Sequence, residues 1–329
     1  MKELSSILVQ LSQSDSYPAV LATLVSVEGS SYRRPGARLL VTAQGRRVGS
    51  ISGGCLEDDL VARVPRVLRT QTPEAVVYDT TSENDLVWGV GLGCHGVVRV
   101  LLEPLPAPPD WLAPAVRQVA ERKAFQLATV HAGPDPRRWG TFWSETSESD
   151  DTVFVEAIPP LLALLIFGAG DDAQPLVRLA KEFGWRVVVI DPRTALATPE
   201  RFPLADAVVG GPLSTILPTL ETDLRTAAVV MTHHYVHDLP VLGALAGKPL
   251  AYVGLLGPRK RAQRLLQDLA GQGVSVSAEL SGRLHAPVGL DLGGDTPESV
   301  ALSIVAELQA VLSGRDGRPL RERTQAIHP

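Results

Sequence analysis

The chain has 329 residues, enough for two globular cores of ordinary size. A net charge of -5 gives it no overall attraction for nucleic acid or anionic membranes, and no run of about 18 apolar residues offers a membrane span. Two cysteines without a CxxC pair exclude a disulfide scaffold, so the expected setting is a reducing cytoplasm with both thiols free.

The opening MKELSSILVQLSQSD has no cleavage site of a secretory signal, while Leu4, Ile7, Leu8 and Leu11 predict an amphipathic helix. Apolar runs at 19–27, 38–42 and 47–51 predict strands, the last two joined by a turn in which Gly45 takes a positive φ. Between the first two lies EGSSYRRPGA, residues 28–37. Its hydroxyls and glycines, with Arg33, Arg34 and the following Arg38, suit an anionic polar ligand; the alternative is a β-turn with solvated arginines.

Next comes SISGGCLEDD, residues 50–59, in which Cys55 follows Gly53 and Gly54. The pattern predicts a helix from Cys55 to Val64 that Pro65 ends or kinks. A helix start favours a reactive thiol, whereas Glu57, Asp58 and Asp59 oppose one, and a small residue fitted to a tight turn is the alternative. Strands are predicted at 75–79 and 97–104. Between them WGVGLGCHG, residues 88–96, places four glycines around Cys94 and His95. So many glycines imply an unusual backbone or one pressed against a ligand, and the chain's two thiols each fall in a glycine-rich turn.

Five prolines make 104–114 a stiff connector. A helix over 113–123 and strands near 125–131, 138–143 and 152–157 follow, with the acidic 144–151 as a solvated hairpin loop. Beyond Pro159-Pro160 the pattern changes to continuous apolar runs at 161–170, 185–191, 205–210, 226–234 and 250–257, separated mostly by helical segments. Such runs indicate a parallel sheet covered on both faces. The chain therefore reads as α/β: an α+β domain over 1–157, a Rossmann-like doubly wound domain over 158–313, and a polar tail over 314–329.

In the second domain Gly168, Gly170 and Ala173 form GxGxxA between strand and helix, and Asp191 ends the next strand 23 positions after Gly168. That combination is a dinucleotide signature, with Asp191 placed for a ribose diol and Arg193 for a 2′-phosphate, so NAD, NADP or another dinucleotide is open. Asp171 and Asp172 put negative charge where the diphosphate would sit, or serve as helix caps. His233 and His234 follow another apolar strand, at the ligand-binding end of such a sheet. His237, four residues after His233, gives a metal-like spacing without a third ligand. The turn from Gly257 leads into Arg259, Lys260, Arg261 and Arg264, an anion site or a solvated basic face.

EGSSYRRPGARLLVT, GSISGGCLEDDL, VGLGCHG, LLIFGAGDDA, VVVIDPR, ATPERFP, MTHHYVHDL, YVGLLGPRKR and PVGLDLGGDTPESVALSIVAEL occur in the order of a known family and span residues 20 to 310. The chain resembles the XdhC/CoxI family, accessory proteins of molybdenum hydroxylases such as xanthine dehydrogenase. The resemblance implies an XdhC/CoxI domain followed by a Rossmann domain, usually in a homodimer. It implies a chaperone that binds the molybdenum cofactor, helps it receive its terminal sulfur from a cysteine desulfurase, and passes it to the apo-hydroxylase. Cys55 falls on the cysteine of the first glycine motif and Cys94 on that of the second; either thiol is a soft ligand suited to molybdenum. Asp171 stands where many members carry histidine. A competing reading is an NAD(P)-dependent oxidoreductase built on the Rossmann domain. A molybdenum hydroxylase itself is excluded, because two cysteines cannot ligate the iron–sulfur clusters such enzymes carry.

Overall fold

A computed structural model describes residues 2–79, 96–146, 148–274 and 282–324. Cys94 and His95 lie outside the described residues. The chain divides into two compact units between Pro160 and Leu161.

The first unit contains α1 (Lys2–Leu11), β1 (Ala19–Gly29), β2 (Arg38–Thr42), β3 (Arg47–Gly49), α2 (Glu57–Thr70), β4 (Glu74–Asp79), β5 (Gly96–Leu105), α3 (Leu112–Ala120), β6 (Phe125–Val130), β7 (Gly140–Ser144) and β8 (Val153–Ile158). An antiparallel five-stranded sheet has the order β3-β2-β1-β5-β4, and a three-stranded one the order β7-β6-β8. The period of two along a strand sends alternate side chains of β1 to opposite faces. Val20, Ala22 and Leu24 pack with Leu60, Val64 and Val67 of α2. Ala19 and Leu21 pack with α1, α3 and the inner residues of the small sheet, Phe125, Leu127 and Ile158.

The interior of this unit also holds charge. Arg38, 2% exposed, donates from Nη1 to Glu156 at 2.6 Å and to the Gly36 carbonyl at 3.0 Å. Glu103 is buried and accepts from the Thr141 amide at 3.0 Å. Burial pushes its carboxyl up to about 7, against the lowering effect of Thr141 and of the Arg38 charge.

The helix expected over 55–64 instead runs from Glu57 to Thr70, so Cys55 precedes it and Pro65 sits inside it. Burial of Leu60 and Val64 on one side of the proline and Val67 on the other holds the helix through the break. Asp59 ties α2 to the sheet, accepting from Arg63 at 2.8 Å and from the Tyr78 hydroxyl at 2.6 Å.

The second unit contains β9 (Ala163–Phe167), α4 (Ala173–Glu182), β10 (Arg186–Asp191), β11 (Ala207–Gly210), α5 (Leu213–Ile216), β12 (Thr226–Val230), α6 (Tyr235–Ala246), β13 (Tyr252–Leu255), α7 (Arg259–Gly271), β14 (Leu284–His285) and α8 (Pro297–Leu312). Its strands form one parallel sheet in the order β11-β10-β9-β12-β13-β14. This is the Rossmann order, which reverses between β9 and β12. Both central strands are buried along their whole length, as continuous apolar runs require. Residues of α4 and α8 cover one face of the sheet, and residues of α6 and α7 the other. Tyr252 is buried with its hydroxyl on Glu307 of α8, which also accepts from the Gly289 amide at 2.9 Å. Among the described residues, no helix is long and apolar enough to cross a membrane.

Candidate functional site

In the first unit, β1 finishes at Gly29 and β5 starts with Gly96 opposite it, while β3 finishes at Gly49, opposite Leu39 of β2, and leads into the turn that bears Cys55. Gly96 is forced by space: a Cβ on it would lie 2.4 Å from the Ser30 carbonyl oxygen. Gly53 faces the Tyr32 ring, 3.9 Å from where its Cβ would be, so the turn bearing Tyr32 and the turn bearing Cys55 are neighbours.

Cys55 is exposed in this turn, and Gly54 before it takes φ +114°, a left-handed value that glycine adopts without strain. The turn is braced from below. Ser52 Oγ accepts from the amides of Gly54 at 3.2 Å and Leu56 at 3.1 Å, and donates to Glu57. Glu57 also accepts from the Ile51 and Ser52 amides at 3.0 and 2.8 Å and from the Ser50 hydroxyl at 2.9 Å. Burial pushes the Glu57 carboxyl up, but the bonds from Ser52 and Ser50 outweigh it and hold the group at about 2. The acids behind Cys55 thus have separate duties: Glu57 folds back onto the loop, Asp59 meets Arg63 and Tyr78, and Asp58 is exposed. The Ser52–Glu57 brace spans five residues, wider than the three of a capping box, so no standard pattern in the sequence announces it.

The expected arginines part company here. Arg34 is exposed. Arg33 pairs with Glu3 of α1 at 2.7 Å. Arg38 lies in the interior, and its Nε and Nη2 have no hydrogen-bond partner.

In the second unit the loops after β9 and β12 flank the point where strand order reverses. Gly168, at φ +128°, is forced by close approach, since a Cβ there would lie 2.4 Å from the Met231 carbonyl oxygen. Three carboxylates stand on the loops beside this crevice, each already partnered. Asp191, buried, accepts from the Ala169 amide at 2.7 Å and the Arg193 amide at 2.8 Å, and from Arg193 Nε and Nη2 at 2.9 and 2.7 Å. The residues expected to hold a ribose are therefore clamped to each other. Asp171 accepts from Arg201 at 2.8 Å. Asp172 Oδ2 lies 2.6 Å from Nε2 of His233, across the crevice.

His233 takes φ +61°, unusual for a residue with a side chain. A buried network fixes the turn around it. Thr232 donates to Asp238 at 2.6 Å and accepts from the His234 amide at 3.1 Å, and Arg261 donates to Asp238 at 2.5 Å and to the His233 carbonyl at 3.4 Å. Arg261 from the basic turn thus acts inside the protein, while Arg259 is exposed at the start of α7. The His234 ring packs edge-on to His237 at 5.6 Å, rather than His233 joining His237. Among the described residues, no group of three or more His, Cys, Asp or Glu side chains could hold a metal ion.

Two family models match the chain. One described as the XdhC and CoxI family covers residues 13–79, and one described as the XdhC Rossmann domain covers 164–308. A Bacillus subtilis protein, named as a probable subunit of xanthine dehydrogenase, is 35% identical over 316 residues, covering 89% of this chain and 93% of that protein. An Escherichia coli protein named molybdenum cofactor insertion chaperone PaoD is 26% identical over 297 residues, covering 89% of this chain and 83% of that protein. A crystal structure described as a xanthine dehydrogenase from Bacillus halodurans superposes with a TM-score of 0.79 at 32% identity, covering 100% of this chain and 98% of that one.

Proposed function

Because the chain belongs to the XdhC and CoxI family, we propose that it is an accessory protein of a molybdenum hydroxylase, binding the molybdenum cofactor and assisting its sulfuration and insertion. The names of the relatives support this reading: one is named for xanthine dehydrogenase, as part of that enzyme, and another is called an insertion chaperone. The observation that carries it is Cys55, an exposed thiol on a braced glycine turn beside the arginine-bearing loop. Molybdenum and its dithiolene sulfurs are soft, and a thiolate is the matching ligand. Arg34, exposed in the same loop, supplies charge for the cofactor's phosphate, and Gly53 and Gly54 let a flat pterin approach the backbone. Cys94, in the second glycine motif, is the other candidate thiol.

In this reading the partners are the apo-hydroxylase and a cysteine desulfurase, and the protein works as a cytoplasmic homodimer that carries cargo without turning over a substrate. The test is co-expression with the cofactor's biosynthesis, purification, and measurement of bound molybdenum and pterin. Wild type is expected to carry both, and Cys55→Ser to lose at least about tenfold in affinity, the equivalent of about 1.4 kcal/mol. Cys94→Ser measures the second thiol in the same way. A wild-type protein free of pterin would refute cargo binding, and full binding by both variants would remove the thiols from it.

A further inference from the structure

A Rossmann unit takes a dinucleotide because nothing stands over the second glycine of its turn, so the diphosphate can come against the backbone at the helix N-terminus. Here that space is filled. A Cβ built on Gly170 would lie 2.6 Å from Asp172 Oδ1, so the carboxylate hangs directly over the glycine. Its other oxygen is held from the far side of the crevice by His233 at 2.6 Å, and the side chain is only 18% exposed. The latch has a fixed anchor, since Thr232, Asp238 and Arg261 set the backbone on which His233 stands. The acid meant for the ribose is equally committed, with both oxygens of Asp191 occupied by Arg193 and the Ala169 amide.

The residues present therefore do not fit a bound dinucleotide. We infer that Asp172 stands in the place of a ligand diphosphate and closes this Rossmann unit to NAD(H), NADP(H) and any other dinucleotide. The obstacle at the diphosphate position is one carboxylate, not the fold: the strand order, the tight turn at Gly168 and the acid at the end of β10 are all in place. Asp171 next to it is a natural control, because it turns outward to Arg201 and is 84% exposed. The inference concerns the second unit alone and stands or falls independently of cofactor carriage by the first.

The test uses the full-length protein as wild type, Asp172→Asn, Asp172→Ser and Asp171→Asn. Each is titrated with NADH and NADPH by fluorescence and with inorganic pyrophosphate by calorimetry. Wild type is expected to show no saturable binding up to about 1 mM. Asp172→Ser, which clears the space over Gly170, is expected to gain at least about tenfold for nucleotides and for pyrophosphate, Asp172→Asn, which drops the charge but keeps the bulk, to gain less, and Asp171→Asn to behave as wild type. If the serine variant loses its native circular dichroism, Asp172→Asn carries the test through the charge alone. Micromolar NADH binding by wild type would overturn the inference. So would folded Asp172 variants that gain nothing, an equal gain in Asp171→Asn, or a gain for nucleotides without one for pyrophosphate.

Discussion

Glu57 shows how one side chain can hold the turn that bears Cys55 in shape. Four hydrogen bonds from Ser50, Ile51 and Ser52 converge on its carboxylate, and Ser52 relays the hold to the amides of Gly54 and Leu56 on either side of Cys55. Its carboxyl is held at about 2, below its ordinary value of 4.5. The stabilisation is therefore complete above about pH 4.5 and is lost as the pH falls toward 2. The side chain is half-buried, so solvent screening limits the contribution to on the order of 1–2 kcal/mol. Glu57→Gln should lose that amount at pH 7, and denaturant unfolding should show the gap to wild type closing between pH 4.5 and 2. A gap constant with pH would mean that the charge of Glu57 has no part in it.

At the scale of elements, α2 was the least legible. Proline is a reliable helix breaker in sequence, yet Pro65 sits exposed in the middle of Glu57–Thr70, where it cannot donate to the Val61 carbonyl. Packing of Leu60, Val64 and Val67 on the sheet overrides the local signal, and packing is not visible in a local pattern. Pro65→Ala restores the missing donor on an exposed face. It should raise unfolding free energy by about 1 kcal/mol or more, the helix gain being partly offset by a looser unfolded chain. The parallel strands of the second unit were legible because burial on both faces leaves unbroken apolar runs, as in β9 and β12. The crevice was legible in position but not in state. Gly168, Gly170 and Asp191 are spaced as a dinucleotide site requires, but that spacing is silent on where a neighbouring carboxylate points. The Asp172–His233 contact joins residues 61 positions apart, and the burial of Arg38 depends on Glu156, 118 positions away. Glycine turns are local and can be read from a string; pairings between distant side chains arise only once the sheet is assembled.

Across the whole molecule, each unit carries a tyrosine sealed against a carboxylate, Tyr78 on Asp59 in the first and Tyr252 on Glu307 in the second. Burial, reinforced by the neighbouring negative charge, drives both phenols well above their ordinary value. Neither can ionise while its unit stays folded, short of strong alkali. Tyr78 and Tyr252 are thus optical reporters of structure, one in each unit, beyond the smaller rise that burial gives Tyr17 and Asp268 gives Tyr235. In an alkaline titration followed by tyrosinate absorbance in the near ultraviolet, Tyr78 and Tyr252 should stay dark until their own unit unfolds, then appear in step with the loss of circular dichroism. Tyr78→Phe and Tyr252→Phe would each remove one late increment. Comparing the two would reveal whether the halves come apart together or in turn, with no label attached to the protein.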